Sequence, residues 1–111
     1  MQIRRAAAAA VVLTGVMASA TAEGGGPSMS SSWVSITGSQ DECVKRGTQS
    51  IRSNSFNNNF EVLGNTSIYG ERGDYTALVR CVADKGIAYF VVAGPRGETC
   101  SNHMNAIKDG F

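Results

Sequence analysis

The chain has 111 residues, of which 42% are hydrophobic and 17% charged, and a formal net charge of +1. This length accommodates one domain and excludes a large multidomain enzyme. The composition excludes a mainly disordered chain, and the near-neutral charge excludes the basic surface that nucleic-acid-binding proteins need.

The first 22 residues have the organisation of an export signal. Arg4 and Arg5 precede an uncharged apolar stretch over residues 6–16, and Ala20-Thr21-Ala22 matches the small-x-small pattern of a cleavage site. The apolar stretch is shorter than the roughly 20 residues that span a bilayer, which argues against a membrane anchor. We therefore predict a cleaved signal peptide over residues 1–22 and an exported protein, either periplasmic or secreted.

Cleavage changes the charge of the remaining chain. Removal of Arg4 and Arg5 leaves eight basic against nine acidic residues. This balance attracts neither nucleic acid nor anionic membranes, so we expect no nucleic-acid partner and no membrane insertion after cleavage. Residues 23–32 are rich in glycine and serine and predict a flexible linker. The folded domain is then residues 33–111, small enough that a disulfide or an oligomer contact would help its stability.

The predicted domain has the element order β-α-β-β-β-α. Ser39 and Glu42 form a capping box, which predicts that the first helix begins near Gln40. Gly64-Asn65 marks either a bulge within the second strand or a turn that splits this strand in two. By hydrophobic pattern and turn residues, strands are predicted over 33–37, 60–70, 75–82 and 87–93, and helices over about 40–53 and 98–108.

This order is typical of an α+β fold. We predict a two-layer structure, an antiparallel sheet with two helices on one face, in a ferredoxin-like arrangement whose fourth strand precedes the second helix. Strand 87–93 is apolar on both faces, whereas a strand covered on one side alternates. Either this strand lies near the middle of the sheet, or its helix-free face packs against a second copy or a ligand. In the latter case Tyr89 or Phe90, depending on register, lies in the contact.

Three cysteines in an exported protein predict one disulfide and one free thiol. If residues 60–70 form one strand, both helices start at the same sheet edge and Cys43 pairs with Cys100. If a turn at Gly64 splits that strand, the later strands reverse and Cys81 reaches Cys43 instead. The two pairings remain open at this point, and the third cysteine is expected to be a buried structural residue.

One cluster carries soft metal ligands. Cys100, His103 and Met104 are spaced i, i+3 and i+4, so they share one face of the last helix, and their side chains suit copper(I). A disulfide-bonded cysteine, a solvated histidine and a core methionine explain the same residues without a metal. Copper binding is therefore kept as an alternative function.

An anion site is a further alternative at the start of the last helix. Gly94, Arg96 and Gly97 lie at this point, where free backbone N–H groups and the helix dipole favour an anion and the guanidinium adds a positive charge. The same residues are ordinary for a turn between a strand and a helix.

The sequence offers no catalytic constellation. His103 is the only histidine, no serine lies in a Gly-x-Ser-x-Gly motif, and the carboxylates are scattered over turns and helix starts. We therefore expect no enzymatic activity and no cofactor.

A set of structural residues runs through the predicted domain: Cys43 in the first helix, Gly70, Tyr75 and Arg80-Cys81 before the hairpin, and Val91-Val92-Ala93-Gly94-Pro95 after it. With this set the chain resembles small exported bacterial α+β proteins of unknown function, and the resemblance implies no activity. The sequence thus predicts a non-enzymatic binding or interaction module of unknown specificity. Its expected partner is a protein or a small molecule, and a homodimer is one form it can take. The alternative is a periplasmic copper- or anion-binding protein.

Overall fold

The structure, a computed structural model, describes residues 25–111, so the predicted signal peptide over residues 1–22 lies outside the described residues. The first helix has the predicted bounds, and Ser39 caps it by accepting a hydrogen bond from the backbone N–H of Glu42 at 3.1 Å. The elements are strands β1 (Ser28–Ser35), β2 (Asn58–Leu63), β3 (Ser67–Arg72), β4 (Tyr75–Val82) and β5 (Ile87–Gly94), helices α1 (Gln40–Ser53) and α2 (Gly97–Gly110), and a short 3-10 helix (Ala83–Lys85).

The five strands form one antiparallel sheet in the order β1-β5-β4-β3-β2. Helix α1 packs on β3 and β4, and α2 packs on β1 and β5. Ile68, Val79 and Phe90 are paired across β3, β4 and β5, and all three are buried. Both helices therefore cover the same face. The predicted α+β class, with an antiparallel sheet and both helices on one face, is confirmed, and the sheet has one strand more than predicted. The ferredoxin-like arrangement stays a prediction.

The additional strand comes from a turn at Gly64 and Asn65. Both residues have a positive φ, 59° and 53°, and they connect β2 to β3 as a hairpin. Residues 60–70 are thus two strands, and the turn rather than the bulge is confirmed. Because the turn reverses all later strands, the end of β4 comes to the first turn of α1, where Cys81 forms a disulfide with Cys43. The alternative pairing of Cys43 with Cys100 is wrong.

The predicted linker over residues 23–32 is wrong from Ser28 onward, because β1 begins there. The segment carries few apolar side chains, yet β5 supplies backbone partners along its whole length. Its short side chains fit below α2: Ser30 accepts a hydrogen bond from Ser101 Oγ, and Ser32 accepts one from Lys108 Nζ, both at 3.2 Å. Strand formation here depends on distant residues rather than on local composition.

The core lies between the helices and the sheet, and two glycines let its parts approach closely. At Gly70 an added Cβ would lie 2.1 Å from the carbonyl oxygen of Phe56, and at Gly94 an added Cβ would lie 2.1 Å from the Tyr75 ring. The largest fully buried side chains of this core are Phe56, Phe90, Ile51, Ile68, Ile107, Val79 and Val92.

Candidate binding surface

The helix-free side of the sheet, called the open face below, displays apolar and aromatic side chains without a covering layer in the described part of the chain. Four of the five exposed large hydrophobic residues among residues 25–111 lie on it. The outward residues of the five strands form the open face. They include Met29, Ser31, Trp33, Tyr89, Val91, Leu78, Arg80, Tyr69 and Leu63, together with polar residues nearer the ends of the strands and the β2 edge, namely Ser35, Ser67, Thr76, Glu61 and Glu71. A soluble domain more often presents polar side chains on its uncovered sheet face.

The centre of the open face is a row of three side chains. Trp33 is paired with Tyr89, and Tyr89 is paired with Arg80, so the row crosses β1, β5 and β4. Trp33 is 60% and Tyr89 40% exposed, and Arg80 is also exposed. Residues paired across strands have neighbouring side chains on the same face. A tryptophan, a tyrosine and an arginine are thus held side by side on a rigid sheet.

The sequence left open whether Tyr89 or Phe90 faces outward, and the register decides this. Tyr89 lies on the open face, as one of the two alternatives predicted. Phe90 is 1% exposed and packs edge-to-face against Phe111, with ring centroids 5.2 Å apart. The assignment of Phe90 to an interface is therefore wrong, since alternate residues of β5 point into the core.

A polar cluster lies on the open face itself, on the side of β2 and β3. Glu71 accepts hydrogen bonds from Tyr69 Oη and from Asn59 Nδ2, the latter at 2.8 Å. These two hydrogen bonds, that of Tyr69 first, lower the pKa of Glu71, and the bond to the carboxylate raises the pKa of Tyr69. The cluster gives the apolar centre a charged, hydrogen-bonded rim.

The predicted metal ligands lie together on α2, but each side chain has its own surroundings. The buried thiol of Cys100 donates to the carbonyl oxygen of Ser28 at 3.6 Å, and burial raises the pKa of this thiol. Met104 is buried in the core. These surroundings fit packing, and a copper site stays a prediction.

His103, the third predicted metal ligand, lies between two aromatic rings. Its ring centroid is 5.2 Å from that of Phe56 and 5.3 Å from that of Tyr75, in edge-on geometry. Burial, and secondarily the charge of Arg72, lowers the pKa of His103. The neutral imidazole is therefore favoured by its position.

The predicted anion-binding residues occupy different environments. Gly94 is buried against Tyr75. Arg96 is exposed at the N-cap of α2, where its carbonyl oxygen accepts from the N–H of Cys100 at 2.9 Å, and Gly97 is the first helical residue. Gly94 thus has a packing role, and anion binding by Arg96 and Gly97 stays a prediction.

Sequence reasoning did not place Met29, Arg80 and Leu63 on the same face of the sheet as Tyr89. The signal that places them together is the strand register, which requires β1 to start at Ser28 and β2 to end in a turn at Gly64. A pattern search in single segments does not reveal this register, because it joins residues far apart in the chain.

Within residues 25–111, no three or more histidine, cysteine or acidic residues are grouped as a metal site, and this part of the fold has no pocket. Neither of the two long helices described is long and apolar enough to cross a membrane. Comparison of the chain with family models, curated proteins and solved structures finds no match.

Proposed function

We propose that the protein is an exported, non-enzymatic interaction module that binds another protein through the open face. The row of Trp33, Tyr89 and Arg80 carries this proposal. Tryptophan, tyrosine and arginine are the residue types that most often dominate the binding energy of protein interfaces, and such residues cluster near the centre of the contact. Here they are contiguous, exposed and fixed by paired strands.

The surroundings of the row support a protein partner. Val91 and Leu78 are paired beside it and extend the apolar centre, and the cluster around Glu71 forms a polar edge. An apolar centre with a polar rim is the usual organisation of a protein interface. Full burial of a large apolar side chain contributes about 1.5–3 kcal/mol, so covering Trp33 and Tyr89 would supply a substantial driving force.

The proposed location of this binding is outside the cytoplasm. The disulfide between Cys43 and Cys81 is compatible with an oxidising compartment. The sequence of residues 1–22 adds the expectation of an export signal. A partner is therefore sought among exported or surface proteins.

Site-specific photo-crosslinking tests the proposal in the exported fraction of the native cell. A photoreactive phenylalanine replaces Tyr89 on the open face or, as a control, the exposed Asn105 on α2. We expect a discrete adduct from position 89 that position 105 does not give, and we expect Arg80→Glu to remove it because the substitution reverses the charge in the row. Equal adducts from both positions, or an adduct that Arg80→Glu leaves unchanged, would contradict the proposal.

A further inference from the structure

The two edges of the sheet differ in how they are protected against pairing. At the β2 edge the register shifts between Asn58 and Glu61, Asn59 has a φ of 50°, and Glu61 places a charge on the strand. Bulges and charges of this kind prevent a second strand from adding to an edge. The β1 edge, Ser28–Ser35, has no charged residue and no proline, and its register with β5 is continuous.

The β1 edge presents regularly spaced backbone groups. Ile36, just beyond the strand, donates its N–H to the carbonyl oxygen of Gly86 at 2.9 Å, so it points toward β5. Backbone groups of successive residues in an antiparallel strand point to opposite sides. The N–H and C=O groups of Met29, Ser31 and Trp33 therefore point away from β5, toward the open edge.

We propose that a second copy of this chain pairs with β1 in antiparallel orientation, about a two-fold axis at Ser31. In this register Met29 is opposite the partner's Trp33, and each Ser31 is opposite the other. The residues that exchange hydrogen bonds in this register, Met29, Ser31 and Trp33, are those whose backbone groups point outward, as a ladder requires. The small side chain at the axis leaves room for the larger ones on either side.

The register explains why the two most exposed large hydrophobic residues of the described chain occur on one strand. Met29 is 70% and Trp33 60% exposed, and they lie four residues apart on the same face. The two-fold axis places Met29 of each copy beside Trp33 of the other. A contact between a methionine sulfur and an aromatic ring is favourable. A foreign strand would need a matching sequence, whereas a second copy supplies it by symmetry.

Dimerisation would stabilise the folded domain and would join the open faces of the two copies. A domain of this size has a small core, which association stabilises. Pairing of the two β1 strands joins both sheets into one of ten strands, with the two open faces on the same side. Tyr89 and Arg80 lie one and two strands away from the new contact and remain available. Trp33, the third residue of the row, lies at the dimer contact itself, so the surface that the dimer leaves for a partner consists of Tyr89, Arg80 and their neighbours in both copies.

Sedimentation of the purified protein at about 1 to 100 μM, a range in which weak dimers dissociate, tests the pairing. We expect a dimer for the wild type. Ser31→Pro removes the outward N–H at the axis from both copies and is expected to raise the dimer dissociation constant at least about tenfold. Ser31→Ala keeps that N–H and is expected to match the wild type. A monomeric wild type, or equal dissociation constants for the two variants, would overturn the proposal.

Two double variants at exposed positions test the register itself and do not depend on how proline affects folding. Met29→Lys with Trp33→Lys places like charges opposite each other twice, whereas Met29→Lys with Trp33→Glu places opposite charges there. Both lose the same hydrophobic contact, so we expect the lysine–glutamate variant to dimerise about tenfold more tightly at low salt. Identical dissociation constants would overturn the register. The adduct expected at position 89 is measured with Met29 and Trp33 unchanged, so a failure of the dimer and a failure of the binding function are read from different variants and are distinguishable.

Discussion

Gly70 shows how one residue without a side chain determines the packing of the domain. An added Cβ would lie 2.1 Å from the carbonyl oxygen of Phe56, a backbone atom that a rotamer change does not move. We expect Gly70→Ala to lower the free energy of unfolding by about 1–3 kcal/mol, as overpacking does. Gly97→Ala is the matched control, because an added Cβ there would lie 3.7 Å from its nearest neighbour, Ser28 Oγ, and Gly97 begins a helix. Urea denaturation measures both, and similar losses for the two variants would contradict the packing argument.

His103 makes the stability of the domain depend on pH. Its pKa is lowered in the folded state, first by burial and then by Arg72, so folding disfavours the protonated ring. The stability that His103 contributes is complete above its unfolded pKa of about 6.5 and is lost as the pH falls toward the folded pKa. We expect the free energy of unfolding to decrease between about pH 7.5 and pH 5.5, and to decrease less in His103→Leu. Urea denaturation at both pH values gives the comparison, and equal decreases would show that another group is responsible.

At the scale of elements, the disulfide connects the first turn of α1 to the end of β4. Cys43 and Cys81 are 38 residues apart, and closing a loop of this length stabilises a fold by about 4 kcal/mol in the chain-entropy model. We expect a reductant to lower the free energy of unfolding of the wild type by about 2–4 kcal/mol and to have no effect on the Cys43→Ala/Cys81→Ala double variant. Cys100→Ala separates the two pairings, since it should keep the sensitivity to reductant. Loss of that sensitivity would contradict the pairing of Cys43 with Cys81.

The elements also show which features the sequence determines locally. Helix α1 follows from the cap at Ser39 and the apolar spacing of Val44 and Ile51, all within one segment. Strand β1 does not, because its serines form a strand only where β5 and α2 supply partners. The disulfide pairing depends on whether Gly64 forms a bulge or a turn. The sequence predicts a pairing for each case, Cys43 with Cys100 or Cys43 with Cys81, but does not choose between them.

The candidate site was predictable to a smaller extent. The same apolar pattern is found in a strand covered on both faces and in a strand that presents a binding face. The sequence of the strand therefore does not show whether Tyr89 or Phe90 faces outward. The row of Trp33, Tyr89 and Arg80 comes from three strands distant in the chain. Such a surface follows only from the complete set of strand pairings.

At the scale of the whole molecule, the helix-covered face of the sheet holds the core, whereas the open face carries most of the exposed large hydrophobic side chains of the described residues. Trp33 is 60% and Tyr89 40% exposed, and both lie outside the core, so their removal creates no core cavity. We expect Trp33→Ala and Tyr89→Ala each to change the free energy of unfolding by about 1 kcal/mol or less, and Phe90→Ala to lower it by about 3–5 kcal/mol. Thermal or urea denaturation checks this order, and large losses for the two open-face variants would assign that face to folding.

Covalent footprinting tests most directly whether the open face is the working surface. Labelling of aromatic side chains is compared between the dilute purified protein and the protein in its native exported fraction, with mass spectrometry as the readout. The half-buried Phe60 and Phe111, on the side of the helices, serve as internal references. We predict that labelling of Trp33 and Tyr89 falls in the exported fraction while labelling of the references stays constant. Unchanged labelling at both open-face residues, or protection confined to the helix side, would contradict the proposed function.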